Sequence, residues 1–223
     1  MTKSPPHWPA PGALPDLDEE TLRLMTGRAK IQIRKRMKSL RSGFSRAALA
    51  ARSAAIVQRI MAEPEFERAQ AVALFWPMLE RGEVDLRALD QTLRSRGARV
   101  YYPFMNKTGP GSFVTGFELT QSIDDLVESP QGFAQPKGEH PAKPGDIDLV
   151  LVPALAADAV GHRVGYGAGF YDATLGDVRP PSRAWIVAYH FQLLAELPHE
   201  PHDQACDAII TDETTHWAVA TAP

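Results

Sequence analysis

The sequence predicts an α/β fold: a mostly parallel sheet with helices on both faces, a Rossmann-like three-layer single domain. Three observations carry that expectation. Apolar runs of strand length recur over residues 71–76, 99–104, 149–152, 185–189 and 208–210. A helical spacing lies between the first two, and such alternation is βαβ grammar. The 223 residues, 44% of them hydrophobic, suffice for one sizeable core.

The elements follow in order. The opening MTKSPPHWPAPGALPD carries five prolines and little periodicity, so residues 1–18 read as a poorly ordered arm and 19–223 as the domain. Leu22, Met25, Ala29, Ile33, Met37 and Leu40 recur at three and four, which predicts an amphipathic helix over 19–40. Ser45 is placed to cap a second, alanine-rich helix reaching Met61. After the strand over 71–76 come a helix over 85–96 stopped by Gly97, a strand over 99–104 and a hairpin near 112–118. The strand over 149–152 leads into a glycine-punctuated loop and a short helix, and strands over 185–189 and 208–210 close the domain.

Composition excludes several classes of partner. A net charge of −3 gives no whole-protein attraction to nucleic acid or to an anionic membrane. Cys206 is the single cysteine, so an internal disulfide is impossible, and it reads as a small packed hydrophobe. The seven histidines are scattered without zinc spacing. No apolar run approaches the length of a spanning helix or a signal core, and a soluble cytoplasmic protein is expected.

The chemistry concentrates in DLVLVPALAADAVGHRVGYGAGFYD, which ends at Asp172. Gly165, Gly167 and Gly169 alternate with Tyr166 and Ala168, and glycines so placed let backbone N–H groups converge on one anion. A carboxylate at Asp172, near the start of the next helix, suits a magnesium ion held against the same phosphates. A flexible turn fits a lone glycine-rich stretch equally well. The P-loop pattern is absent, and the alternate glycines do not match the dinucleotide fingerprint. Elsewhere, Lys30 and Arg34 stand i, i+4 in a basic run with Lys35, Arg36, Lys38 and Arg41, which by itself reads as solvated surface. Glu83 fits a cap for the helix beginning near Asp85, and His202 with Asp203 fits an ordinary loop pair.

The run RVGYGAGFYD over 163–172, preceded by LVLVPALAAD, resembles the signature of the 5-formyltetrahydrofolate cyclo-ligase (5,10-methenyltetrahydrofolate synthetase) family. Three more segments agree in order and distance: KIQIR with Lys30 and Arg34, the Glu83-Val84 pair, and His202-Asp203 followed by DAIIT from Asp207. The resemblance covers residues 28–212 and implies a ligase of one-carbon metabolism. Such an enzyme converts 5-formyltetrahydrofolate to 5,10-methenyltetrahydrofolate through a phosphorylated formyl intermediate, with ATP as co-substrate and Mg2+. A monomer acting on small molecules is expected.

Residue by residue, the resemblance gives ATP to Lys30, Arg34, Arg163, Gly165, Tyr166, Gly167, Ala168, Gly169, Phe170 and Tyr171. It gives folate to Met78, Glu83, Tyr166 and Phe170, the metal to Asp172 and Asp203, and catalysis to Arg163 and Tyr166. Phe170 stands where the family's first loop tyrosine is usual, which removes a hydroxyl. A non-catalytic nucleotide- or folate-binding protein of the same fold, and an ATP-dependent enzyme of another formyl or carboxyl substrate, are the alternatives.

Overall fold

The computed structural model describes residues 18–130 and 132–218. The proline-rich arm, apart from Asp18, lies outside them. Among the described residues there are five α-helices: α1 (Glu19–Ser42), α2 (Arg46–Ala62), α3 (Pro64–Arg68), α4 (Arg87–Ser95) and α5 (Phe170–Val178). Asp18 caps α1 by accepting the Thr21 N–H at 2.8 Å, and Ser45 caps α2 by accepting that of Ala48, as its position predicts. α4 starts two residues later than expected. Glu83 does not cap it; the Asp85 carboxylate takes the Arg87 N–H at the helix start.

The strands are β1 (Ala71–Ala73), β2 (Arg99–Gly109), β3 (Ser112–Leu119), β4 (Val127–Glu128), β5 (Ala134–Gln135), β6 (Leu149–Pro153), β7 (Ala156–Asp158), β8 (Arg163–Val164), β9 (Arg183–Val187), β10 (Leu193–Leu194), β11 (Ala208–Ile210) and β12 (Thr215–Trp217). Seven form the main sheet in the order β12-β11-β9-β6-β1-β2-β3. Its five central strands are parallel, and β3 and β12 join antiparallel at the two edges. The expected strand over 71–76 is cut to three residues, because Phe75 and Trp76 leave the ladder to line a cavity. α3, β12 and a small β10-β7-β8 sheet were not foreseen, being too short to show a period.

Side-chain alternation decides which helix covers which face. Val72, Leu149 and Leu151 point toward α2, α3 and α4, meeting Ile56, Ile60, Phe66 and Leu89. Their neighbours Ala71, Ala73, Val150 and Val152 point the other way, onto Leu175 and Val178 of α5. Truncating fully buried Leu151 to Ala would therefore cost about 2–5 kcal/mol. Among the described residues, no helix is long and apolar enough to cross a membrane.

α1 corrects the sequence reading most. Its expected apolar stripe is largely solvent-facing: Leu22, Met25 and Leu40 are exposed, and of the stripe only Met37 is buried. The other buried residues of the helix are Lys30 and Arg41. The reason is location. α1 packs on the small sheet through Met37, against Leu155, Ala156 and Val164, and presents its cationic stripe to the cavity. A helix that roofs a charged site has its polar side inward.

Candidate active site

A cavity of about 510 Å3 opens beyond the carboxyl ends of the central strands, with Phe75 and Trp76 following β1 and Pro153 ending β6. That is where open α/β sheets gather ligands. Every site residue expected from the sequence borders this one cavity.

One wall is the loop from β8 into α5. Gly167 and Gly169 hold positive φ, 106° and 67°, while Gly165 does not. Gly169 is the N-cap residue of α5 and offers no capping side chain. The first-turn amides of that helix therefore border the cavity beside the loop, an arrangement that favours an anion. Arg34 reaches down from α1 and donates Nε–H to the Gly165 carbonyl at 2.9 Å. Gly167 gives it room, since a Cβ there would meet the guanidinium carbon at 3.4 Å.

The segment carrying Asp203 is folded back onto this loop by specific bonds. Asp158, fully buried, accepts the Leu197 N–H, and the Cys206 N–H donates to the Gly161 carbonyl at 2.9 Å. Arg163 donates to the Gln204 carbonyl and, at 2.6 Å, to Asp172 Oδ1, which also accepts the Gln204 N–H. Lys30 Nζ then bridges Asp203 Oδ2 at 2.6 Å and Glu200 Oε2 at 3.1 Å. Burial pushes the Asp203 carboxyl up, but Lys30 and the Glu200 N–H outweigh it and hold the group below its ordinary value. His202 remains largely exposed, with Nε2 3.8 Å from Asp203.

The opposite end is built differently. Glu83 sits beyond a short 3-10 turn (Leu79–Arg81) and accepts the Met78 N–H at 2.8 Å. Its backbone is pinned from below: the Tyr189 hydroxyl donates to the Glu83 carbonyl, and Ser53 Oγ accepts the Asp85 N–H. Burial drives the Glu83 carboxyl above its ordinary range, opposed by the Met78 N–H, the Tyr166 hydroxyl, Arg41 and Arg81. Tyr166 accepts a hydrogen bond from Arg41 Nη2 at 2.5 Å, and burial raises its phenol. Lys38 Nζ, Arg41 Cζ and Arg81 Cζ lie 5.3, 5.8 and 5.8 Å from the Tyr166 ring centroid. Each such contact is worth about 0.5–1 kcal/mol at a part-exposed site.

Four residues at the site were missed or misplaced by sequence reasoning. Arg41 read as surface within a basic run, yet it is buried; Lys38 is exposed as expected, but stands over Tyr166. Lys38 stands four residues after Arg34, and Arg41 four after Met37, which was the available signal. Arg81 and Glu200 belong to no pattern. Of the two expected metal carboxylates, Asp203 groups with Glu200 and His202, whose ligand atoms lie within 4.8 Å of one another, while Asp172 is bound to Arg163. The hard oxygens of Asp203 and Glu200 fit magnesium. Cys206 is buried, and burial raises its thiol, in keeping with a packed hydrophobe.

Comparison with known proteins gives one answer. The model of the 5-formyltetrahydrofolate cyclo-ligase family matches residues 26–212. A 5-formyltetrahydrofolate cyclo-ligase of Mycolicibacterium smegmatis is 37% identical over 126 residues, covering 56% of this chain and 65% of that protein, just under two thirds of its length. The protein of that name from Escherichia coli K12 is 31% identical over 156 residues, covering 69% of this chain and 84% of its own. The solved structure of Aquifex aeolicus 5,10-methenyltetrahydrofolate synthetase superimposes with a TM-score of 0.72 at 26% identity, over 87% of this chain and 95% of that one.

Proposed function

The chain belongs to the 5-formyltetrahydrofolate cyclo-ligase family, and from that premise we propose that it closes 5-formyltetrahydrofolate to 5,10-methenyltetrahydrofolate with ATP as co-substrate. The observation that supports this most is convergence. Lys30 and Arg34 from α1, Glu83 beyond β1, the glycine loop, Asp172 on α5 and Asp203 before β11 border one cavity.

The chemistry asks for such a site. An N5-formyl group is an amide whose oxygen leaves poorly, so N10 cannot displace it unaided. The formyl oxygen attacks the γ-phosphorus of ATP, the bond to ADP breaks, and an imidate-like phosphate results. N10 then attacks the activated carbon, loses its proton, and expels phosphate as the ring closes. Little covalent work falls to the protein; it positions the partners and balances charge.

In this reading Lys30, Arg34 and Arg163 answer the phosphate charge, and the backbone of Gly165, Gly167 and Gly169 cradles it. Glu83 and Met78 hold the folate, with Tyr166, Phe170 and Tyr171 offering flat faces to its pterin or to adenine. Mg2+, when bound, would neutralise phosphate oxygens, and Asp203 with Glu200, or Asp172, would hold it. The protein acts alone as a monomer in the cytoplasm.

The test is the rise in absorbance of methenyl-folate from 5-formyltetrahydrofolate. Turnover is expected only with ATP and a divalent cation. Product formation without nucleotide, or full activity in excess chelator, overturns the scheme.

A further inference from the structure

Arg41 has no role assigned by the family pattern, yet it is deeply buried at the site. Only 4% of it is exposed, and the turn at Gly82 packs on its stem, where a Cβ would meet Arg41 Cγ at 3.2 Å. Nη2 is bound to the Tyr166 hydroxyl at 2.5 Å. Nε is buried with no hydrogen-bond partner among the described residues. A purely structural arginine is expected to satisfy its buried donors, so an idle one beside a buried carboxylate asks for another account. Tyr166 supplies it. This residue lies in the glycine loop, borders the main cavity, and separates it from a second cleft lined by Lys38, Arg41, Arg46 and Arg81.

We propose that Arg41 is a positioning residue for the folate half of the reaction: through Tyr166 it fixes the glycine loop against Glu83 before substrate arrives. Arg41 does not touch the reacting atoms. It holds the phenol that faces Glu83, and its positive charge opposes the burial that disfavours the ionised form of that carboxyl. The groups facing Glu83 are Arg41 from α1, Arg81 from the 3-10 turn, Tyr166 from the loop and Tyr171 from α5. Lys38 faces Tyr166 alone of the pair. The inference rests on the folate reading above.

Binding of 5-formyltetrahydrofolate can be followed by fluorescence, since Trp76 lines the cavity, and turnover by methenyl absorbance. R41M should raise the folate Kd and KM about tenfold or more, leave the ATP KM within about threefold, and move the acid limb of folate binding to higher pH. R41K should recover part of the loss. Y166F should weaken folate binding about threefold, and the loss in R41M/Y166F should fall short of the product of the two single losses, because the residues share one contact. An R41M protein with parental folate affinity, a parallel loss for both substrates, or multiplicative effects in the double variant would overturn the proposal. Should R41M fail to fold, Y166F and R41K decide by the same folate and ATP constants. A parent that binds folate without turning it over sinks the activity reading alone, and the Kd ratios still judge Arg41; a parent that does not bind folate sinks both.

Discussion

The two ends of the cavity solve the problem of buried charge in opposite ways. At the end formed by α1, α5 and the segment before β11, most charged groups the site uses are paired, Lys30 with Asp203 and Glu200 and Arg163 with Asp172, while Arg34 bonds the Gly165 carbonyl. At the other end Glu83 is buried, and its nearest cations act at a distance or through Tyr166. The first end can exchange partners when a polyanion and a cation arrive together, because each newcomer replaces a charge already there. The second cannot relax. Its carboxylate is held ready for one ligand by a surrounding that disfavours its charge.

The largest effect should come from breaking the paired end. Asp172→Asn keeps the shape but frees Arg163, and kcat should fall roughly a hundred- to a thousandfold at saturating magnesium, as for loss of a single strong charge stabilisation. Lys30→Ala should raise the KM for ATP or lower kcat by roughly tenfold or more, and it leaves Asp203 and Glu200 without their cation. Near-normal steady-state constants for either variant would show that the pairing is structural.

Next comes the strained end. Glu83→Gln should weaken folate binding about tenfold or more, yet raise the melting temperature at pH 8. The sign follows from the raised carboxyl: the native state holds its proton to higher pH than the unfolded chain does, so ionising Glu83 above the ordinary carboxylate range destabilises the fold. The glutamine variant loses that penalty. A lower melting temperature at pH 8 would mean that Glu83 is held by more favourable contacts than its surroundings suggest.

Asp203 should show the opposite slope, and more weakly. Its carboxyl is lowered, so the stability it contributes is present above the ordinary Asp value and is lost as pH falls through the lowered one. Asp203→Asn should flatten the parental stability curve below about pH 4, which acid titration followed by circular dichroism can read. The smallest contrast lies along α1: Lys38→Ala should cost about two- to fivefold in folate KM through its contact with Tyr166, and exposed Lys35→Ala nothing. Equal effects would return the whole run to a diffuse basic surface.

This contrast also marks what the sequence could reveal. The paired end was legible because Lys30, Arg34, the glycine loop, Asp172 and Asp203 sit in segments whose order and spacing identify a family. The ladder of central strands was legible because β-branched runs such as LVLV need no context to be strands. The strained end was half legible: Glu83 and Tyr166 were expected there, while Arg41 was hidden in a run of like charges. Periodicity assigned the inner face of α1 to Leu22, Met25 and Leu40, a rule that assumes an apolar core beneath the helix. Beneath this one lies a polar cavity. The β7, β8 and β10 strands are two or three residues long and are fixed by bonds such as those to Asp158, which are not visible as a local pattern.

α1 is, in energetic terms, a ligand of its own protein. Its 24 residues span about 36 Å. They are fastened by Met37 on the small sheet and by the bonds of Lys30, Arg34 and Arg41 to Glu200, Asp203, the Gly165 carbonyl and Tyr166. Little apolar area holds it, so its local opening should be fast and sensitive to ionic strength, unlike that of β6 or β9. By mass action, any bound anion that uses Lys30 and Arg34 must lower the population of the open state to the extent that it prefers the docked helix. Amide hydrogen exchange along α1 would thus serve as a gauge of occupancy, and the helix that roofs the cavity would report on its contents.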